Sequence, residues 1–578
     1  MTQYRARTRG FSPQRRLRLL SAFAMFIFVV FLGRLFWMQV VTGADTAAKV
    51  LDQNTVTREI TAPRGEIQDA SGLPLAVTID ARNITADQTL ILNPESTAQV
   101  LAPVIGADPV ALAQHLTGTR RFVYIAKEVT PAVWKQISDL NLAGIYSEPA
   151  TRRVYPQGQL AANVIGYLNA ENEGRGGIEY AYQDELAGTP GKTVYVQAGG
   201  SRLVPTGSQQ ITQPVTGTTV RLTIDRDVQW IAQRAIAERV EYAKADNGTV
   251  VVIDTTNGNI VAMATAPTFD PNHLSQAKAE NLGNRITSDV YEPGSTAKVM
   301  TMAAVIEEGT ATPTSKFTIP PVLRWPTETF HDHSPHGTLK LTLTGILAQS
   351  SNIGTIKAAK QMGAKKQYEY VRKFGVASST GLGFPGESSG LLPAFENWSI
   401  TTFPTVAFGQ GLSVTALQAA QVFATIANDG VRISPRIVSG TVGEDGRFTA
   451  APAGEKTRVV STSTAQQVRL MMESVVSDEG TAAIAKIPGY RVAGKTGTAN
   501  KFDDDCKCYS GYVASFIGLA PADKPRFVVA VSLTNPRNGH YGGVLGGPVF
   551  KEVMTYALQK YRVPPSTTKA KLYPTTWK

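Results

Sequence analysis

From Leu19 to Val41 the chain is apolar or small at every position except Ser21, Arg34 and Gln39. This run of 23 residues is long enough, at the helical rise, to cross a hydrocarbon core of ~30 Å, so one transmembrane helix is expected over 19–41. Residues 42 to about 215 then alternate short β-like runs with Gly/Pro turns and hold one amphipathic helical stretch, Val110–Leu116. The Thr- and Pro-rich stretch Ile211–Thr219 reads as a linker. Beyond Val220 the periodicities sharpen. Helical spacing of apolar residues predicts a helix over Val228–Ala243, and Thr249–Ile253 and Ile260–Ala264 flank Asn257-Gly258 as a β-hairpin. Three further strand-like runs follow, Arg491–Ala493, Tyr512–Leu519 and Phe527–Leu533. After them Pro548 starts a helix whose Val549, Phe550, Val553, Met554 and Ala557 share one face. Five strands split between the two ends of this segment and flanked by helices predict an α+β class, an antiparallel sheet with a helical middle inserted.

Composition fits two or three folded domains: 578 residues, 43% apolar, with Gly 51 and Pro 33. The net charge of +11 is uneven, because Arg5, Arg7, Arg9, Arg15, Arg16 and Arg18 all precede the apolar run with no acid among them. The rest of the chain is only mildly basic, which argues against nucleic acid as a partner. Positive charge stays cytoplasmic, so the arginines predict a single-pass membrane protein with its N-terminus inside and the catalytic domain outside. A cleaved signal peptide is the competing reading; the run exceeds a usual signal core, no clean A-x-A site follows, and no lipobox cysteine exists. Arg34 near the outer end snorkels to the headgroups or meets a partner helix. The two cysteines, Cys506 and Cys508, cannot carry a disulfide framework. Their C-x-C spacing closes a very small ring and leaves a disulfide, free thiols, or a metal clip with Asp503, Asp504 and Asp505 open.

Three motifs in order carry the candidate chemistry: Ser295-Thr296-Ala297-Lys298, Ser350-Ser351-Asn352 and Lys495-Thr496-Gly497. S-x-x-K alone is weak evidence, since it recurs at Ser275–Lys278 and Ser566–Lys569. Only Ser295 follows Pro293-Gly294 and opens a run of good helix formers, Thr296–Glu308, that Gly309 stops. On such a helix serine and lysine at i and i+3 share a face. A lysine buried by Val299 and Met302 would have its pKa lowered and serve as the base that activates the serine, while the helix dipole and a backbone N–H stabilise the oxyanion. His331, His333 and His336 cluster with Asp332 between the first two motifs; Pro335 disfavours a regular ligand face, and a hydrogen-bonded loop is preferred to zinc.

The ordered triplet resembles the penicillin-recognising serine acyltransferases. Ala62-Pro63-Arg64-Gly65-Glu66-Ile67, Arg153-Val154-Tyr155-Pro156 and Gly176-Gly177-Ile178-Glu179 look like the N-terminal module of class B penicillin-binding proteins. Thr223-Ile224-Asp225, Tyr291-Glu292-Pro293-Gly294-Ser295, Gly409-Gln410-Gly411 and Ala427-Asn428-Asp429-Gly430 resemble their transpeptidase domain, so the likeness covers nearly the whole chain. It implies a penicillin-binding/serine-β-lactamase-like fold: a five-stranded antiparallel sheet flanked by helices, an all-helical inserted part, an elongated α+β pedestal and one transmembrane helix. The domains implied are a basic cytoplasmic tail at 1–18, the transmembrane helix at 19–41, a dimerisation-type pedestal at 42–215, the transpeptidase domain at 216–563 and a tail at 564–578.

The resemblance further implies a division-specific, FtsI-like peptidoglycan D,D-transpeptidase acting on stem peptides of lipid-linked or nascent glycan. By the family pattern Ser295 attacks the penultimate D-alanyl carbonyl and Lys298 takes its proton. Ser350 relays protons to leaving or incoming nitrogen, and Asn352 orients Lys298 and the substrate amide. Lys495, Thr496, Gly497 and Thr498 form the strand that binds the terminal carboxylate, and the N–H groups of Ser295 and Thr498 make the oxyanion hole. No metal or cofactor is expected. β-Lactams would trap Ser295. No Glu-Asp pair of the kind class A enzymes use to polymerise glycan occurs between residues 42 and 216, so a membrane polymerase of the FtsW type and other division proteins are the expected partners. Two departures bear on the groove wall: Ala297, where many relatives carry Phe, and the Asp503–Cys508 insertion. The alternatives are an elongation-specific relative, a D,D-carboxypeptidase or β-lactamase, and a catalytically silent scaffold or sensor.

Overall fold

The apolar run folds as a helix, Pro13–Phe36, continued by a π-turn, Trp37–Val41, in the computed structural model, which describes residues 13–45, 49, 55–198, 202–203, 210–503 and 506–578. Together these residues are long and apolar enough to cross a membrane. Arg5, Arg7, Arg9, Asp504 and Asp505 lie outside the described residues.

The chain divides into two compact units, Met1–Ala62 with Thr189–Val215, and Pro63–Gly188 with Thr216–Lys578. In the first, Thr55–Ile60 pairs antiparallel with Gly191–Ala198, which also pairs with Arg202–Leu203 and Gln210–Thr212. The stretch read as a linker is therefore partly strand: Thr212 pairs with Lys192, Val215 bridges Thr189, and Thr219–Leu222 is a strand of the second unit. Local Thr and Pro content signals a loop, but a β-capable segment takes whatever strand edge the tertiary fold offers it.

In the second unit the strands Pro74–Ala86, Val123–Val129 and Ile145–Val154 pack with the helices Pro94–Ile105, Pro109–Leu116 and Pro131–Asp139 around Ile84, Leu101, Leu116 and Ile137. Only the middle helix is foreseen by apolar spacing. All three share a capping signature: Asn93-Pro94, Asp108-Pro109 and Thr130-Pro131 each supply a side-chain oxygen to a first-turn N–H and a proline at the first helical position. Pro103 hides the first of these helices in the sequence by sitting inside it.

The three N-terminal motif segments meet at one buried ion cluster. Glu179 is wholly buried and accepts from Arg64 Nε at 2.6 Å, Arg153 Nε at 2.8 Å and Tyr155 Oη at 3.3 Å. A carboxylate so enclosed is tolerated because two guanidiniums share it.

The central sheet has the strands β1 (Asn247–Asp254), β2 (Ile260–Ala266), β3 (Ala493–Asp503), β4 (Cys508–Ala520) and β5 (Phe527–Thr534). Their order is β2-β1-β5-β4-β3, antiparallel throughout, so the last strand pairs beside the first and β3 is an edge. The runs Val250-Val251-Val252 and Phe527-Val528-Val529 are apolar without alternation because helices cover both faces. On one face lie α1 (Arg226–Ala243) and the terminal helix; on the other, Ala416–Ala427 leads into the helical middle. Buried at its heart is α2 (Lys298–Glu307), enclosed from Lys298 through Ile306. Each of its fully buried Val, Ile and Met side chains stabilises the fold by about 1.5–3 kcal/mol. Beside α2 runs α3 (Asn352–Met362).

The terminal helix α4 spans Gly542–Lys560 and does not begin at Pro548, which lies inside it. Its glycine-rich start lets it press onto β4: a Cβ at Gly542 would come 2.1 Å from the Ser515 carbonyl oxygen.

Candidate active site

The turn that carries Ser295 is built by its neighbours. A 3-10 turn, Gly294–Ala297, leads directly into α2, so Ser295 stands just ahead of the helix and Lys298 begins it. The Gly294 N–H donates to the Gly409 carbonyl at 2.9 Å, which ties the turn to the Gly409-Gln410-Gly411 loop. From the other side comes β3, and the approach is close enough that only glycine fits at 497. A Cβ there would lie 2.3 Å from Ser515 Oγ, 3.0 Å from Thr296 Cγ2 and 3.1 Å from the Pro293 carbonyl oxygen.

The second motif arrives with α3. Ser351 caps this helix, its hydroxyl accepting from the Gly354 N–H at 2.9 Å. Immediately before it Ser350 takes φ +60, a left-handed conformation uncommon outside glycine that costs roughly 1–3 kcal/mol. What holds it there is the pair of lysines. Lys495 Nζ donates to Ser350 Oγ at 2.9 Å, and Lys298 Nζ donates to Ser350 Oγ at 3.3 Å, to the Ser350 carbonyl at 2.5 Å and to Asn352 Oδ1 at 2.7 Å. Residues from all three sequence motifs thus converge, and Ser295, Ser350, Asn352, Thr496 and Thr498 line one cleft of about 570 Å³.

Both lysine side chains are completely buried. Desolvation pulls Lys298 from an ordinary value of 10.5 down to about 7, opposed by the nearby Asp332 carboxylate. Lys495 is held well below its usual range by burial and then by the Lys298 charge. The three acceptors around Lys298 Nζ satisfy an ammonium; a neutral amine keeps two hydrogens and frees a lone pair. The hydrogen bonds of Lys298 Nζ go to Ser350 and Asn352 and not to Ser295, which lines the cleft. The expected direct contact between amine and nucleophile is replaced by contact with the second motif, because Ser350 and Asn352 offer three oxygen acceptors at Nζ.

The Ser295 N–H has no acceptor among the described residues. On β3 the Thr496 carbonyl faces out from the sheet edge and is reached by Lys495 Nζ at 3.1 Å. Thr498, two residues along, presents its backbone to the same side. The Thr498 hydroxyl accepts from the Gly542 N–H at 3.3 Å, and the Thr496 hydroxyl lies 3.0 Å from that of Thr481.

Several cleft residues had no signal in the sequence. Thr481 lies in a loop without a motif. Tyr512, His540 and Tyr541 line the cleft, with Tyr512 stacked on His540 at a ring-centroid distance of 5.1 Å and Tyr541 tilted against His540 at 4.2 Å. The histidine cluster gave a partial signal. It folds as a hydrogen-bonded loop against the second motif, with His333 at the cleft and His336 Nε2 3.0 Å from Asp332 Oδ2. Partial burial and the Lys298 charge hold the His333 imidazole below its ordinary value.

At the end of the β3–β4 hairpin Asp503 pairs with Cys508, and Cys506 and Cys508 are joined as a disulfide. Just past it, Tyr509 Oη donates to Glu292 Oε1 at 3.1 Å, which also accepts from the Gly411 N–H at 2.9 Å. Ala297 is buried against the Gly409 backbone.

Known proteins share this architecture. Residues 248–555 match the penicillin binding protein transpeptidase domain, and residues 59–222 match the penicillin-binding protein dimerisation domain. Penicillin-binding protein PbpB of Mycobacterium tuberculosis is 35% identical over 96% of this chain and 86% of its own. The peptidoglycan D,D-transpeptidase FtsI of Escherichia coli is 34% identical over 95% of this chain and 92% of its own. Among solved structures, a peptidoglycan synthetase from Bifidobacterium adolescentis is 32% identical with a TM-score of 0.74, covering 90% of this chain and 100% of that one. Penicillin binding protein 3 of M. tuberculosis complexed with aztreonam is 33% identical with a TM-score of 0.70, at the same coverage. Full-length similarity of this kind, over a chain with both domains and an N-terminal apolar helix, makes this protein a class B penicillin-binding protein of the FtsI/PbpB type.

Proposed function

We propose that this chain is a membrane-anchored serine D,D-transpeptidase that crosslinks peptidoglycan stem peptides during septal wall synthesis. The observation that carries the reading is the Ser350 hydroxyl held by Lys298 and Lys495 at the floor of a cleft onto which Ser295 opens. Ser295 Oγ bonds to the penultimate D-alanyl carbonyl carbon, and its proton passes to the neutral Lys298 amine. The oxyanion is met by the N–H groups of Ser295 and Thr498, each worth about 3 kcal/mol in the transition state. Collapse breaks the C–N bond, and D-alanine leaves with a proton relayed through Ser350. A second stem peptide's amine then attacks the ester carbon, the C–O bond to Ser295 breaks, and the amine's proton passes by way of Ser350 and Lys298 to Ser295 Oγ, which restores the free serine. Asn352 fixes Lys298 and the substrate amide; Lys495, Thr496 and Thr498 hold the terminal carboxylate on β3, where Gly497 permits the approach.

The apolar helix anchors the chain with residues 1–18 cytoplasmic and the domains outside, residues 42–215 forming the pedestal and 216–563 the transpeptidase domain. A glycan polymerase of the FtsW type supplies the strands to be crosslinked. β-Lactams, which are bound by relatives of this chain, acylate Ser295. The test is crosslinking of nascent glycan by the purified full chain beside such a polymerase. Crosslinked muropeptides should form with the wild type and not with Ser295→Ala; crosslinking retained by Ser295→Ala overturns the reading.

A further inference from the structure

The loop between the first two motifs does more than border the cleft. The side chain of Asp332 is 5% exposed, and its carboxylate spans the junction where the second motif enters α3. Oδ2 accepts from Ser351 Oγ at 2.7 Å and from His336 Nε2 at 3.0 Å, while Oδ1 accepts from the Ile353 N–H at 2.9 Å. Between them, Asn352 Nδ2 donates to the His331 carbonyl at 3.1 Å. Three consecutive residues, 351 to 353, are thus bonded to two consecutive loop residues. Asn352 is pinned at both ends, its amide nitrogen by the loop and its amide oxygen by Lys298. A carboxylate also favours this place electrostatically, since α3 directs its free N–H groups and dipole at it.

We propose that Asp332 is a positioning residue of the acylation reaction: by clamping Ser351 and Ile353 it fixes the angle at which Asn352 and Ser350 meet Lys298. It touches no reacting atom. Its charge acts on the same lysine, favouring the protonated form against the desolvation that disfavours it. The other titratable groups facing Lys298 are Lys495 on β3 and His333 on the loop, both cationic when protonated, so Asp332 is the carboxylate that offsets them. Nothing in the spacing of the three motifs identifies this residue.

The inference rests on the acylation reading above, and the test separates the two. Acylation of the full chain in detergent by a fluorescent penicillin is followed from pH 5 to 9 for the wild type, Asp332→Asn and Ser351→Ala, alongside thermal melting. Asp332→Asn should lose about 10- to 100-fold of its plateau rate, the scale of a misplaced catalytic group. Its acidic limb should also move to lower pH by about half a unit or more, because Lys298 then loses its proton more readily. Ser351→Ala keeps the charge and loses the clamp, so it should lower the plateau with the limb unmoved; it also serves should Asp332→Asn fail to fold. A slow Asp332→Asn with an unmoved limb overturns the proposal in favour of a merely structural role. A wild-type rate in either variant overturns it as well. Failure of the wild type itself to acylate overturns the functional reading first, and the proposal with it.

Discussion

Lys495 Nζ lies 2.9 Å from the hydroxyl of Ser350, a residue 145 positions earlier in the chain and held at φ +60. The edge strand and the helical middle are brought together at this one oxygen, which a second lysine also reaches. Two buried amines around a single hydroxyl cannot both carry a full charge at little cost, so this geometry favours a neutral amine beside Ser350.

The pH dependence of acylation follows from that. On the proposed mechanism Lys298 is unprotonated when it accepts the Ser295 proton, and burial lowers its pKa to about 7. The second-order rate of β-lactam acylation should therefore rise as pH increases through about 7 and level off above it. The same shift bears on stability: between about 7 and 10.5 the unfolded chain binds this proton and the folded chain does not, so the contribution of Lys298 to stability improves as pH rises through that window. Stopped-flow acylation and thermal melting across pH check both.

Gly497→Ala should nearly abolish acylation. The added methyl meets Ser515 Oγ, Thr296 and the Pro293 carbonyl, so β3 must retreat from the turn that carries Ser295. A shift of about 1 Å at such a site costs on the order of 100-fold in rate, while overpacking costs only about 1–3 kcal/mol of stability. A folded, inactive variant is expected by circular dichroism and penicillin labelling.

Glu179→Ala should destabilise the chain by about 3–5 kcal/mol, since it strands two buried guanidiniums. Denaturant unfolding in detergent measures the loss.

The penicilloyl adduct should persist for hours. A transpeptidase ester awaits an amine, whereas a β-lactamase would release product within seconds. Gel fluorescence after removal of free label reads the lifetime.

Much of this was legible in the sequence because it is written in continuous runs. The anchor, four of the five strands and the helix ending at Ala243 come from local hydrophobic pattern, and the three motifs from their order and context; the edge strand is expected over Arg491–Ala493 and runs instead over Ala493–Asp503, because its Lys, Thr and Gly residues carry no apolar alternation. What could not be read is set by partners distant in the chain. Thr212 looks like a linker until Lys192 is beside it, and Pro548 looks like a helix start until the glycines before it pack on β4. The helices Pro94–Ile105 and Pro131–Asp139 were readable from their Asx/Thr-Pro caps, a signal that apolar spacing obscured. At the site the missing pieces were Thr481 and the Tyr512–His540–Tyr541 wall, and the link of Asp332 to the second motif, which acquire meaning only when segments far apart in the chain face one cleft. The left-handed Ser350 had no signal at all, since serine carries no mark of the φ it is forced to adopt.

Peptide mass spectrometry of the full chain after exposure to a β-lactam tests the assignment of the nucleophile most directly. The opened antibiotic should be found intact on the peptide carrying Ser295, and nowhere in Ser295→Ala. An adduct on another serine, or none on a folded wild-type chain, would contradict it.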